Sequence, residues 1–450
     1  MLYENFSHLA YQANKCFSIM NIILSILIFP CYSLNTLVWP DPLLMQVGTS
    51  IITISESFFI RYDGPNRRLM EAAIRRTYKK MFVLGCNPGA HKGLEVLLVN
   101  VKDDFDIQHS MPAPEDEYYS ISIKDGEVFG VLNGNTILGA LRGLETFSQL
   151  PQVSKQVPSW AKQDCEFSQF YINVPISIQD QPAFVHRGLL LDTARHYMPK
   201  RIIRKVLDGM EASKLNVFHW HIIDSQSFPI KSHVLPSLSN EGAYSEFEVY
   251  TIQDIKDIVK YAKNRGIRVI PGMFFLNLMS EFDVPGHAYS WKGSGLVVCP
   301  DAKPWEKYCL SPPCGQLDIS KNETYEMLEK FIKEMASVFP SQNIHLGHDE
   351  VNKACYLDDP EFKSVLNSGT DLNKLVQKFQ DKVQTIAESV EKTIIFWEEV
   401  ILDFPTKVPN NTIIQTWRGT GRARLVIERG YRVIVSDSSS WYLDCKIFIV

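Results

Sequence analysis

No run of like charges interrupts this 450-residue chain, and a formal net charge of −5 leaves no basic surplus for a polyanion, so nucleic acid is not an expected partner. No two of its nine cysteines stand at CxxC spacing, which disfavours a zinc site. No apolar stretch reaches the ~20 residues of a membrane helix. The longest, Phe17 to Phe29, follows Lys15 and precedes the small residues Cys31 and Ser33, as in a signal peptide over residues 1–33. An uncleaved signal anchor is the alternative, and Met20 is a second candidate start. Entry into the secretory pathway is expected, and a stable membrane span is not. If Cys16 and Cys31 leave with the signal, Cys86, Cys165, Cys299, Cys309, Cys314, Cys355 and Cys445 remain, and disulfides are the better reading for them. Asn322-Glu323-Thr324 and Asn410-Asn411-Thr412 have the form of glycosylation acceptors.

What is present is a chain long enough for a large α/β domain and a smaller one, with 45% hydrophobic residues to build their cores. Val47 to Phe59 alternates like a strand and Arg68 to Phe82 has helical spacing. Leu94 to Val101, Glu117 to Ile123 and Val128 to Leu132 read as strands, with Asp125-Gly126 as a hairpin turn, and Ile137 to Leu150 as an amphipathic helix. Residues 34–180 therefore form an α+β domain in which nothing suggests chemistry, closed by a linker at Asp180 to Pro182. From residue 181 the pattern changes. Strand-like runs occur at His186 to Asp192, Asn216 to Asp224, Arg268 to Pro271, Asn343 to Gly347, Thr393 to Trp397, Thr412 to Trp417 and Arg432 to Val435. Helical stretches lie between several of them, at Pro199 to Ser213, Thr251 to Arg265, Asn322 to Val338, Asp371 to Val390 and Gly421 to Glu428. Such repetition implies a parallel sheet, and acids at the strand ends point to an α/β, (β/α)8 TIM-type barrel over 181–450 whose active face is built by the loops there.

The chemistry centres on Ile344 to Val351, an apolar strand running into the adjacent carboxylates Asp349 and Glu350. Taken alone, a solvated loop explains an Asp-Glu pair more often than chemistry does. Other strands end the same way: Asp224 after His219-Trp220-His221, Asp283 before Pro285-Gly286-His287, Glu398-Glu399 after Trp397, with Arg187 entering the first strand. Each has a bland explanation: an ion pair for Arg187, a turn cap for His287, core filling for Trp397 and Trp417. Their joint position at strand ends shifts the balance. Carboxylates beside indoles suit a sugar, whose apolar face stacks on Trp while its hydroxyls bond to acids. The residues thus read as a glycosidase.

At this point the strings HRGLLLDTARHYMP, KLNVFHWHIID, EFDVPGH, HLGHDEV, TIIQTWRG and SSSWYLD, with ALRGLETFSQL upstream, resemble the β-N-acetylhexosaminidases of glycoside hydrolase family 20, in particular the lysosomal animal β-hexosaminidase subunits. The resemblance runs from about Leu132 to Asp444. It implies an exo-hydrolase, lysosomal or secreted, that removes terminal β-linked N-acetylhexosamine from glycoconjugates by substrate-assisted retaining catalysis, without a cofactor or metal. It implies Glu350 as general acid/base and Asp349 as the carboxylate orienting the substrate's acetamido group. Tyr442 would hydrogen-bond the acetamido oxygen, Trp397 and Trp417 would wall its pocket, and Arg187 and Asp444 would bind sugar hydroxyls. Asp224, Asp283 and His287 would support Glu350. A Cys299–Cys355 disulfide and a homo- or heterodimer follow from the same resemblance, which leaves Cys309 and Cys314 as an extra local pair.

The sequence departs from the family pattern in several places. His348 stands where the family's HLGGDEV has glycine, and it would strain the site if that position needs a positive φ. Ser225 replaces an aspartate usual in the animal subunits. Gly272 to Ser280 intervenes between RGIRVIP and EFD, read as an unspliced intron, an unusual isoform or a lid. Cys445 to Val450 does not match the family continuation, so an eighth strand, with its Trp and Glu, is expected to be missing. These departures keep open the alternative of a non-catalytic or inactive sugar-binding paralogue.

Overall fold

The computed structural model describes residues 38–82, 92–108, 111–153, 170–270, 282–341 and 343–443. The signal-peptide reading, Gly272 to Ser280, Cys445 to Val450, Asp444, Cys86 and Cys165 lie outside these residues. Among the described residues no helix is long and apolar enough to cross a membrane.

The first hydrophobic core, Val38 to Ile178, belongs to a six-stranded mixed sheet. Its strands are β1 (Leu44–Asp63), β2 (Leu94–Asp103), β3 (Tyr119–Ile123), β4 (Phe129–Thr136), β5 (Gln152–Val153) and β6 (Phe170–Asp180). Helices α1 (Arg67–Met81) and α2 (Ile137–Ser148) pack with them. β1 runs on past both ends of the alternating stretch. Its first half pairs with β6, its register shifts after Ile54, and its second half pairs with β2. α2 starts where the Thr136 hydroxyl accepts the Leu138 N–H, the cap that Thr supplies well. It lies so close to β3 that a Cβ at Gly139 would sit 2.1 Å from the Tyr118 carbonyl oxygen. All of its residues are buried; Arg142 reaches across to the carbonyls of Arg265 and Gly266, while Glu145 and Thr146 are bonded by Lys80 and Tyr119 of the same domain.

The second core, Ile203 to Val426, surrounds parallel strands β7 (Gly188–Asp192), β8 (Val217–His221), β9 (Arg268–Ile270), β10 (Asn343–His345), β11 (Thr393–Trp397), β12 (Ile413–Thr416) and β13 (Arg432–Val435). Helices α3 (Lys200–Ala212), α4 (Ile252–Lys263), α5 (Asn322–Val338), α6 (Leu372–Ser389) and α7 (Thr420–Glu428) fall in the connections between them. β7, β8 and β9 pair in parallel, as do β10 to β13. The two sets are joined through Phe282 to Val284, where Phe282 bridges Ile223 and the N–H groups of Phe282 and Val284 donate to the carbonyls of His345 and Leu346. The sheet curls round its inward side chains: the His219 ring of β8 lies 6.3 Å from the Trp397 ring of β11, three strands away along the pairing order. This is the expected barrel, with seven strand positions. Among the described residues, β7 and β13 each have one neighbour.

The two domains meet across buried charge. Glu117 accepts hydrogen bonds from Arg142 Nε at 2.7 Å, Arg187 Nη2 at 2.7 Å and Asn216 Nδ2 at 3.0 Å. Burial would raise the Glu117 carboxyl, but the two guanidinium groups outweigh it and hold the group below its usual range. Lys214 and Tyr119 both donate to Asp180 at 2.8 Å beside this cluster. Glu117→Gln removes the one carboxylate that balances two buried guanidinium groups, so a loss of about 3–5 kcal/mol is expected in chemical denaturation. A loss under ~1 kcal/mol, the scale of an exposed pair, would refute this account.

Candidate active site

The strands end in one place. β7 delivers Asp192 and, three residues on, Arg195; the chain beyond β8 delivers Asp224; the segment after Phe282 delivers Asp283 and His287; the turn after β10 delivers Asp349 and Glu350. β11 ends at Trp397 and passes to Glu398 and Glu399, and Trp417 and Arg418 follow β12.

His287 is the hub. Its Nδ1 lies 3.2 Å from Asp224 Oδ1, and its Nε2 lies 3.2 Å from Glu350 Oε2 and 3.5 Å from Asp349 Oδ2. Burial favours the neutral ring, but the charges of Asp224 and Asp349 prevail and keep the imidazole protonated well above its usual range. Asp224 is fully buried and also meets His221 Nε2 at 2.9 Å and Arg195 Nη2 at 2.6 Å. Burial opposes its charge, yet His287 and Arg195 hold its carboxyl below the usual range. Asp283, His287 and Asp349 place ligand atoms within 4.8 Å of one another, as do His221, Asp224 and Asp283. A metal ion does not fit these groups, because Arg195 and protonated His287 already supply positive charge to the same carboxylates.

The turn carrying the acid pair has unusual backbone. Gly347, His348 and Glu350 have φ of 60°, 70° and 49°, in the left-handed region. A Cβ at Gly347 would lie 1.8 Å from Asp283 Oδ1, so only glycine fits there. His348 thus occupies the positive φ anticipated from the glycine it replaces.

The third wall is formed by β11 and β12. Trp397 is buried, with its ring edge-on to His345 at 5.0 Å. Trp417 donates from Nε1 to Glu399 Oε1 at 2.9 Å, and Arg418 Nε sits 2.7 Å from Glu398 and 3.3 Å from Glu399. Burial first, and then the charge of Asp349, push the Glu399 carboxyl up to about 8. Tyr442, beyond β13, is 41% exposed.

Arg187 is a correction. It stands at the opposite, N-terminal end of β7, where it donates to Glu117, the Lys214 carbonyl at 3.0 Å and the Phe184 carbonyl at 2.8 Å. A side chain committed to the domain junction cannot bind sugar at the strands' other end; Arg195 is the guanidinium at the site. Arg195 and His221 were not singled out from sequence, and Glu399 was noted only as one of two acids ending a strand. Arg195 lies within the HRGLLLDTARHYMP string and just past a strand-ending acid, a signal that could have found it. Cys299 and Cys355 are joined by a disulfide, as are Cys309 and Cys314. Asn322 and Asn410 are both exposed.

Residues 184–447 match the model of the catalytic domain of glycosyl hydrolase family 20, and residues 38–150 match that of a β-acetyl hexosaminidase-like domain. The chain belongs to glycosyl hydrolase family 20. It is similar to the β-hexosaminidase subunit beta of Homo sapiens, 37% identical over 427 residues that cover 90% of this chain and 71% of the relative. A chitooligosaccharidolytic β-N-acetylglucosaminidase of Bombyx mori is 34% identical, with 91% and 70% covered. Among solved structures, the chitobiase of Flavobacterium johnsoniae superposes with a TM-score of 0.72 at 25% identity, covering 89% of this chain and 59% of that one. The chain thus spans well under two thirds of that bacterial enzyme. A family 20 member holding acid pair, imidazolium and indoles together gives no support to the non-catalytic alternative.

The Glu399 carboxyl holds a proton more tightly in the folded than in the unfolded chain. Its contribution to stability is therefore complete below about pH 4.5 and is lost as pH rises to about 8. Glu399→Gln cannot ionise, so its stability relative to the parent is expected to climb from pH 5 to pH 8 by on the order of 1 kcal/mol per pH unit. Denaturant titrations at the two ends of that range check this, and a difference that does not vary with pH would count against it.

Proposed function

We propose that this chain hydrolyses terminal, non-reducing β-linked GlcNAc or GalNAc from glycoconjugates, with the substrate's own acetamido oxygen as nucleophile. The observation that carries this reading is the contact of His287 with both Asp349 and Glu350, backed by Asp224. Glu350 gives its proton to the glycosidic oxygen as the acetamido carbonyl oxygen bonds to the anomeric carbon and the aglycone leaves. An oxazolinium ion results. Asp349 orients the acetamido N–H and balances the positive charge that develops there. Glu350, now ionised, takes a proton from water as that water opens the ring, and the sugar leaves with retained configuration. Tyr442 bonds the acetamido oxygen, Trp397 and Trp417 enclose its methyl group, and Asp444 meets a sugar hydroxyl. Arg195, fixed by Asp192 and Asp224, takes the hydroxyl-binding role first expected of Arg187. Asp283 supports the acid pair through its contact with Gly347.

Residues 181–450 form the catalytic unit and 34–180 the domain that supports it. Two disulfides and exposed Asn322 and Asn410 support a lysosomal or secreted location. A homo- or heterodimer is supported by likeness to proteins that are themselves subunits. Glu350→Gln is expected to lower turnover of an aryl β-N-acetylglucosaminide by about 10²–10⁴-fold while the chain still melts cooperatively. An unchanged rate in this variant would sink the assignment.

A further inference from the structure

His348 has a side chain where the turn would most easily take a glycine. Its φ of 70° costs a residue with a Cβ about 1 kcal/mol or more, so something must hold it there. Its ring is fully buried and meets three aromatic rings on separate elements: Phe379 of α6 at 6.5 Å, Phe396 of β11 at 5.6 Å and Phe404 at 5.6 Å. Inside this apolar nest its Nε2 meets, among the described residues, the side-chain amide of Gln380 on α6 at 3.0 Å. Gln380 is itself 2% exposed. Burial lowers the proton affinity of His348 to about 4, so the ring is neutral and Nε2 accepts the amide N–H. A buried amide and a buried imidazole are each costly without the other.

The two residues after His348 are the acid pair. On its other side the Gly347 carbonyl accepts the Trp397 N–H at 2.9 Å, so the backbone is pinned on the β11 side by that bond and on the α6 side by the histidine. We propose that His348 and Gln380 act as one positioning pair that sets the direction in which Asp349 and Glu350 face the substrate, replacing in this chain the glycine that the family pattern has at this place. The pair does not touch substrate. It acts by fixing the left-handed backbone from which Glu350 projects.

The proposal rests on the hydrolytic reading, and a double-mutant cycle separates the two. Gln380→Met keeps the volume and removes the hydrogen bond; Gln380→Asn, which shortens the reach, replaces it should the apolar variant fail to fold. The full chain, each single variant, His348→Gly and the double variant are compared in kcat and KM on an aryl β-N-acetylglucosaminide. They are also compared in deuterium uptake of the backbone amides of residues 346–351, which needs no turnover. Expected for the Gln380 variant are a fall in kcat of about tenfold with KM unchanged within about twofold, and faster uptake. In the His348→Gly background the same substitution should change neither. Equal effects in both backgrounds, or unchanged kcat and uptake in a folded Gln380 variant, would overturn the pairing. A parent chain that turns nothing over would overturn the hydrolytic reading while the uptake cycle still decides this one.

Discussion

The site depends on one protonated histidine. Asp224, Asp283 and Asp349 are brought together around His287, and like charges at such distances cannot all persist unaided. His287 resolves this by presenting one ring nitrogen to Asp224 and the other to the acid pair. Arg195 adds a second positive charge to the far side of Asp224. Where the cation is shared, the balance is struck by a proton instead: Glu399, buried and facing Asp349, keeps its own although Arg418 Nε lies 3.3 Å away and closer still to Glu398. A buried carboxylate stays charged only where the cations around it outweigh burial and like charge. The same rule explains Glu117, at the opposite end of the barrel, with its two arginines.

Charge alone does not aim a carboxyl. The turn Gly347 to Glu350 is held in the left-handed region at three of its four residues, and for the two that are not glycine, His348 and Glu350, this is a cost typical of functional sites and sustained only where the surroundings over-determine it. Here the surroundings are Asp283 against Gly347, Trp397 against the Gly347 carbonyl, and the aromatic nest around His348. The residues proposed for the pocket are also packing residues: Trp397 lies in the barrel interior against His219 and His345.

Much of this was legible in the sequence. The apolar runs located all seven strand positions, because a parallel sheet buried on both faces leaves a continuous hydrophobic signature. Strand ends were less secure. The run Asn216 to Asp224 is paired as a strand only from Val217 to His221, since Ile223 crosses to a bridge with Phe282 and Asp224 turns to meet Ser227. Arg187 and Arg195 flank one strand, and the barrel rule already favours its C-terminal end, where Arg195 stands; the ion pair that commits Arg187 elsewhere, with Glu117 70 residues away in another domain, has no local trace. Glu399 was legible as a strand-end acid, but its partners were not. Its meaning lies in Trp417, 18 residues on, and in Asp349, none of which spacing reveals.

The third strand position is described in two pieces, Arg268–Ile270 and the segment from Phe282. β9 pairs with β8 at an offset of 51 residues, from Arg268 to Val217 and from Ile270 to His219. Phe282 bridges Ile223, and Phe282 and Val284 reach β10 and the residue beyond it with their N–H groups. Asp283 lies between those two anchors and His287 four residues past it. Two backbone bonds on its far side thus hold the segment that sets Asp283 against Gly347 and brings the imidazole of His287 to the acid pair.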